Sequence, residues 1–240
     1  IAPKLFLYDE KKIFNLSKFK IKEYLDELKK YDLKISSMQS LLFNTDNCYL
    51  FGSVKERKNL KKHLIKVINL ANKLEIPNLV FGSPKNRVIP KNMSYKIAEK
   101  IALRTFKSLG VYAKKKRVVI SIESNPKIYG TNFLNNIFQT SKFVKKVNSE
   151  NIKMILDTGE IIVNKNISKI KKIIKKNINI INHVHLSEPY LKPLKNTRLI
   201  SNVIKYLNDE NYKKFISIEM RKNKNNLFHI KKSILKLKNI

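Results

Sequence analysis

The tetrapeptide Ile-Ser-Ile-Glu occurs twice in the chain, at residues 120–123 and 216–219, each time closing an apolar run with a carboxylate. Between the copies stand Ile155-Leu156-Asp157 and His183-Val184-His185-Leu186, two further β-like runs that carry a side chain able to bind a metal. Four successive strand-like segments therefore each offer one oxygen or nitrogen donor near the C-terminal end. A parallel β/α barrel collects its reactive groups from the ends of different strands, so the repetition points to a divalent-metal site at the mouth of such a barrel.

The rest of the chain supports that architecture. Apolar or β-branched runs at 34–42, 78–83, 117–123, 152–157, 181–187 and 215–220 have the length and residue types of strands. Segments with helical spacing separate them, at 21–30, 54–74, 94–115, 133–148, 168–176, 198–207 and 227–237. Strict alternation predicts a parallel sheet joined by helical crossovers. The expected fold class is α/β, a (β/α)8 TIM barrel occupying residues 1–240 as one domain, because no Gly/Ser/Pro-rich linker interrupts the alternation. Six strands are fewer than eight, and the chain opens at Ile1-Ala2-Pro3 without a methionine. Ile1-Ala2 is expected to be the last part of strand two, which would leave out the first strand–helix unit and most of strand two. An open α/β sheet that never had eight strands is the alternative.

Side chains alternate faces along a strand, so Ser121 and Glu123 share one face while Ile120 and Ile122 occupy the other. The same parity groups Ser217 with Glu219, groups His183 with His185, and sets Asp157 opposite Met154 and Leu156. In a barrel the apolar face meets the helices, which turns Glu123, Asp157, His185 and Glu219 toward the lumen. Three carboxylates and one neutral imidazole suit Mn²⁺, Mg²⁺ or Co²⁺, with Zn²⁺ also allowed. Four protein ligands leave two positions of an octahedral ion for adjacent oxygens of a hydroxycarbonyl substrate. The expected chemistry is Lewis-acid polarisation of the carbonyl, with one of the flanking glutamates, Glu123 or Glu219, removing the proton on the neighbouring carbon. One glutamate after an apolar strand is ordinarily a surface residue; four matched endings are not. His183 lies one layer deeper and reads as a hydrogen-bonded interior histidine, while His63 and His229 fall in helical segments and are expected to face solvent. Ser83, Lys85, Asn86 and Arg87 follow a strand and read either as a polar loop or as holders of a hydroxyl-rich or phosphorylated substrate, with Lys85 and Arg87 as charged donors. Gln39 and Asn125 are further substrate-binding candidates. Tyr129-Gly130-Thr131-Asn132 reads as a turn with Thr131 or Asn132 as a helix cap.

Composition narrows the partners. The net charge of +33 suggests a polyanion partner at first. Only six of the 51 basic residues are arginine, leaving 45 lysines spread over every expected helix. Lys, Asn and Ile share A/T-rich codons, and phosphate recognition favours the planar fork of arginine. The charge is therefore expected to lie on solvated helix faces, and nucleic acid is not the expected partner. With no uninterrupted apolar stretch of about 18 residues, no membrane span is expected. The single cysteine, Cys48, cannot form an internal disulfide, which suits a reducing cytoplasm. A homo-oligomer is left open.

The stretches Ile122-Glu123-Ser124-Asn125-Pro126, Leu156-Asp157-Thr158-Gly159, His183 to Pro189, and Ser217-Ile218-Glu219-Met220-Arg221 resemble the sugar phosphate isomerase/epimerase family of the xylose isomerase-like barrel superfamily. The loop Phe81-Gly82-Ser83-Pro84-Lys85-Asn86-Arg87 resembles one found in its members. The resemblance spans the whole chain, implies Glu123, Asp157, His185 and Glu219 as the metal ligands, and implies the two glutamates as the acid/base pair. It also implies a further strand–helix unit upstream. Ketose 3-epimerases of the superfamily often place a substrate-binding histidine three residues after the metal-binding aspartate, where this chain has Glu160. They often carry an arginine after the Ser-Glu stretch, where this chain has Pro189-Tyr190-Leu191-Lys192 after Glu188. Glu160 and Glu188 complete the substrate-binding set.

Two other functions remain open from sequence. A related barrel supports abasic-site cleavage of DNA, as in endonuclease IV-like enzymes, but that chemistry uses a three-metal cluster with more histidines than the four present here. A decayed barrel that binds anions without catalysis is the other, and the intact set of four ligands counts against it.

Overall fold

The computed structural model describes residues 14, 16–195, 197–222 and 225–238. Five strands, β1 (Asn78–Phe81), β2 (Val119–Ile122), β3 (Ile152–Asp157), β4 (Ile181–Ser187) and β5 (Ile216–Glu219), form one sheet in chain order with every pair parallel. The helices are α1 (Lys18–Lys30), α2 (Val54–Lys73), α3 (Tyr95–Lys115), α4 (Ile137–Val147), α5 (Thr158–Val163), α6 (Ile170–Asn177), α7 (Thr197–Asp209) and α8 (Asn226–Lys238). Parallel neighbours need a connection that returns the chain to the starting edge, and helices supply it here.

The sheet curls around an interior. Asn182 of β4 donates Nδ2 to Asn78 Oδ1 of β1 at 2.9 Å, although β2 and β3 lie between them. In a flat sheet strands stand about 4.8 Å apart, so such a contact requires the strands to bend toward each other. Gln39, from the segment before β1, likewise reaches Glu219 Oε1 at the end of β5 at 2.9 Å. One irregularity assists. The register passes from Met154↔Ile181 to Ile155↔His183, so Asn182 is an extra residue on β4. A bulge of this kind lets two successive side chains face the same way. Asn182 meets Asn78 and His183 Nε2 meets Ser217 Oγ at 2.7 Å.

The main core lies between the outer sheet face and the helices. Ile120, Ile122, Met154, Leu156, Val184 and Leu186 are fully buried there, as the alternation of each strand requires. Against them α2 lays a stripe of Leu60, Leu64, Val67, Ile68 and Ala71, spaced for one helical face. Its start is fixed by a reciprocal cap in which Ser53 and Glu56 each bond the other's backbone N–H. A run of edge-to-face aromatics, Phe81–Phe106–Phe143–Phe133–Phe51, ties β1, α3 and α4 together at centroid separations of 4.9–5.7 Å.

Several expected elements differ. Residues 34–42 form no strand; they make a single parallel bridge, Met38 to Leu79, with Met38 N–H on Asn78 O and Val80 N–H on Met38 O. The chain then turns at Ser40 (φ 56°) so that Leu41 and Leu42 enter the core, and that packing outweighs their strand propensity. The helix expected from residue 133 starts at Ile137, because Asn136 supplies the cap, while Thr131 bonds Arg87 O and Asn132 pairs with the backbone of Ile89. The short helix α5 was not expected. His63 is half-buried and bonds Leu41 O at 2.9 Å through Nε2, so it does not simply face solvent. Ile1-Ala2, expected to end a strand, lie outside the described residues. Among the described residues no helix is long and apolar enough to cross a membrane.

Candidate metal centre

Glu123 directly follows β2, Asp157 ends β3, His185 lies in β4 and Glu219 ends β5. The sheet register sets Asp157 beside His185 and Ser187 beside Glu219, so the donors emerge near one level of the curled sheet. One donor atom from each of the four lies within 4.8 Å of the others. His185 Nδ1 stands 3.0 Å from Glu123 Oε1 and 3.2 Å from Glu219 Oε2, which joins β2, β4 and β5 across the interior.

Each group is held by neighbours that leave part of it free. Gln39 donates to Glu219 Oε1. Asp157 Oδ1 accepts Glu160 N–H at 2.6 Å as the cap of α5, and Asp157 Oδ2 accepts Ser187 Oγ–H at 2.9 Å. Gly159 N–H in turn bonds Ser187 Oγ. Behind Glu123, the guanidinium of Arg87 donates Nη2 to Glu123 O at 2.8 Å and to Asn125 Oδ1 at 2.7 Å. Arg87 is fully buried, and its Nε and Nη1 have no hydrogen-bond partner. Gly82 is the close neighbour on the other side: a Cβ there would lie 2.6 Å from Glu123 Oε2.

Crowding and burial shift Asp157, His185 and Glu219. Burial, then the charges of Glu123 and Glu219, push the Asp157 carboxyl up to about 8. Burial disfavours charge on His185, yet its hydrogen bonds and attraction to Glu123 and Glu219 hold its pKa well above the usual value. Glu219 moves down because the hydrogen bond and charge of His185, with help from Gln39, exceed the burial that opposes them. Burial and then His185 lower His183 to about 4, so it is a neutral interior group bonded to Ser217. Burial raises Glu160 to about 7. A group of three carboxylates this close is held apart by repulsion unless a positive charge sits among them, and a divalent ion is a stronger one than an imidazolium. Donor separations up to 4.8 Å match ligands each about 2.0–2.6 Å from a shared hard cation. The donor set therefore fits a divalent metal.

A cavity of about 180 Å³ opens on the cluster, lined by Glu123, Asp157 and Glu219. At ~30 Å³ per water that is room for roughly six waters, or for a small polar molecule. Asn125, Glu160 and Glu188 also line it. Glu160 Oε1 accepts from Ile137 N–H and Asn164 Nδ2, linking α4 and α5, and Glu188 Oε1 accepts Lys195 N–H. Of the other candidates, Ser83, Lys85 and Asn86 do not line the cavity: Lys85 is exposed, Asn86 Nδ2 bonds Cys48 O, and Ser83 sits in a left-handed turn. Arg87 stands behind Glu123. Tyr129 and Leu191 were missed from the sequence and line the cavity. The turn at Tyr129-Gly130 is present, with Gly130 at φ 82°, but nothing in the local pattern said that it folds over the strand ends. A larger groove of about 660 Å³ lies beside Pro77 and Phe215, which precede β1 and β5, and so belongs to the opposite end of the strands.

A family model described as xylose isomerase-like TIM barrel matches residues 4–240. No curated protein matches the chain. Among solved structures it is similar to 3-keto-D-glucoside 4-epimerase from E. coli, with TM-score 0.76 and 13% identity over 93% of this chain and 86% of that one. D-psicose 3-epimerase from Clostridium cellulolyticum H10 aligns with TM-score 0.72 and 19% identity, covering 96% and 78%. An AP endonuclease of family 2 from Brucella melitensis aligns with TM-score 0.67 and 14% identity, covering 86% and 79%.

Proposed function

Because the chain belongs to the xylose isomerase-like TIM barrel family, we propose that it is a divalent-metal-dependent isomerase or epimerase of a small sugar, sugar phosphate or related hydroxycarbonyl compound. The observation that carries this reading is the convergence of Glu123, Asp157, His185 and Glu219 at the ends of four consecutive strands, with the three carboxylates lining one small cavity. These four residues would hold the cation, for which Mn²⁺, Mg²⁺ or Co²⁺ suits the donor set and Zn²⁺ is allowed. When bound, the cation supplies Lewis-acid polarisation of a carbonyl.

The protein's own groups do the proton work. Glu123 and Glu219 approach the cavity from different strands, and each is fixed from behind, Glu123 through the Arg87 and Asn125 contacts and Glu219 through Gln39. One carboxylate takes the proton from the carbon beside the carbonyl, and the other returns a proton to the opposite face, which inverts that centre. Return to the former carbonyl carbon, with the hydroxyl proton passing between the two substrate oxygens, gives isomerisation instead. Asn125, Glu160 and Glu188 line the cavity, which supports reading them as partners of substrate hydroxyls. The similar epimerases act on sugars by their names, and this is the class of substrate carried over.

Replacing Glu219 by Gln tests the reading. In D₂O with Mn²⁺ and a panel of ketoses and their phosphate esters, the parent protein is expected to exchange the C–H beside the carbonyl, and E219Q to be slower by about 10²–10⁴-fold. Full activity in E219Q would remove that role. The rival reading, abasic-site cleavage, draws on the fold shared with an AP endonuclease of family 2. The described residues contain one four-ligand cluster with a single histidine, short of what a three-metal centre needs. Cleavage of abasic duplex DNA, without sugar turnover, would reverse the order.

A further inference from the structure

Tyr129 stands on the loop after β2, among Glu123, Asp157 and Glu219 in the wall of the cavity. Burial, opposed by the backbone hydrogen bond from Tyr190 and helped by the charges of Asp157, Tyr190 and Glu219, holds its phenol above the usual pKa. Its oxygen accepts the backbone N–H of Tyr190 at 3.1 Å, and the two rings meet edge to face at 6.0 Å. That bond uses the oxygen as acceptor. Among the described residues the phenol's own proton has no acceptor.

The frame that holds the phenol is strained. Tyr190 and Leu191 both have left-handed backbones, φ 59° and 54°, a conformation that side-chain-bearing residues adopt at a cost of roughly 1–3 kcal/mol each when the surroundings enforce it. The enforcement is visible. Leu191 N–H bonds Glu188 O, Leu191 O accepts Arg221 N–H from beyond β5, and Tyr190 N–H bonds Tyr129. Leu191 itself lines the cavity. Three loops, following β2, β4 and β5, are thus tied into one cover, and the Tyr129 hydroxyl on it keeps a proton to donate.

We propose that Tyr129 is a substrate-binding residue, its ring forming a wall of the cavity and its hydroxyl donating a hydrogen bond to an oxygen of a polyhydroxylated carbonyl substrate. The inference rests on the function proposed above and adds a recognition element that sequence reading assigned to a turn. A hydrogen bond from a neutral donor is worth about 0.5–1.5 kcal/mol, so removing the hydroxyl corresponds to about a 2- to 12-fold loss in substrate affinity.

The test uses the full chain with Mn²⁺, following C–H exchange in D₂O on D-fructose, D-tagatose, D-ribulose and their terminal phosphate esters. Y129F is expected to raise KM by about 2- to 12-fold, while its Mn²⁺ dissociation constant, read by calorimetry, stays within about twofold of the parent. Y129A is expected to raise KM further, since the ring is lost as well. Y190A removes only the ring contact, leaves the backbone N–H on the phenol, and is expected to change KM less than Y129F. The proposal is overturned if Y129F keeps the parent KM within experimental error. It is also overturned if Y129F loses Mn²⁺ or its thermal midpoint together with activity, which would make Tyr129 a loop pin. If the parent exchanges no member of the panel, the functional reading underneath falls, and this inference falls with it.

Discussion

Glu123 illustrates how far a single ligand depends on residues that never touch the ligand position. Gly82 leaves its carboxylate room, and Arg87 fixes its backbone and the neighbouring Asn125. Gly82→Ala would put a Cβ 2.6 Å from Glu123 Oε2, closer than carbon and oxygen tolerate, and the carboxylate is the group free to move. Loss of support for a metal ligand typically weakens binding 10–100-fold, so G82A is expected to lower Mn²⁺ affinity by about that factor, measured by calorimetry, with the circular dichroism spectrum unchanged. Arg87→Met separates function from stability. Burial lowers the arginine to about 10 despite the attraction of Glu123, and among the described residues no carboxylate forms an ion pair with it. Removing a buried charge offsets much of the loss of its two hydrogen bonds. R87M is expected to change the unfolding free energy by less than about 2 kcal/mol in urea titrations while weakening Mn²⁺ binding by about tenfold. A large stability loss with unchanged metal affinity would contradict this.

At the scale of elements, patterns that repeat were legible and patterns set by distant contacts were not. All five strands lie within the runs expected for them, because each run is short and rich in apolar or β-branched residues, and the last four each carry a candidate ligand at or near the C-terminal end. The parity argument that placed Glu123, Asp157, His185 and Glu219 on one side agrees with their convergence, since parity follows from the pleat alone. Residues 34–42 have strand-like composition but pair at one bridge, and the reason, burial of Leu41 and Leu42 through a left-handed Ser40, is a tertiary effect. The helix α5 escaped notice because its cap is Asp157, a residue already read as a ligand. The closing of loops over the site, and with it Tyr129, depends on contacts 61 residues apart and leaves no local trace. The aromatic run is an element-scale support with a measurable weight. Phe106 is buried between Phe81 and Phe143, so Phe106→Ala is expected to cost about 3–5 kcal/mol of unfolding free energy, a large share of a typical domain's ~5–15 kcal/mol. A cost below 1 kcal/mol in urea unfolding would show that the run does not join sheet and helices as described.

For the whole molecule, the four-residue cluster couples ligand binding to the stability of the sheet. Its members come from β2, β3, β4 and β5, so the group that satisfies them also holds together four of the five strands. Without a cation the cluster carries a cost, visible in Asp157, whose carboxyl is pushed up to about 8 by burial and by Glu123 and Glu219. A ligand that binds only the folded chain stabilises it by about 2.7 kcal/mol at 100 times its dissociation constant. For a chain of this size that corresponds to a rise of roughly 5–10 °C in thermal midpoint. Mn²⁺ is therefore expected to raise the midpoint by about that amount and EDTA to reverse it. Asp157→Asn should relieve the metal-free cost and remove most of the Mn²⁺ increment. Asparagine caps a helix about as well as aspartate, so the bond to Glu160 N–H survives, while one of three crowded carboxylates disappears. The metal-free variant is expected to melt at or above the metal-free parent, and Mn²⁺ to add little, because a charged donor is gone. Differential scanning calorimetry of both proteins with Mn²⁺ and with EDTA reads all four midpoints. A parent indifferent to Mn²⁺, or an Asp157→Asn variant that keeps the full Mn²⁺ increment, would break the link between the cluster and the cation.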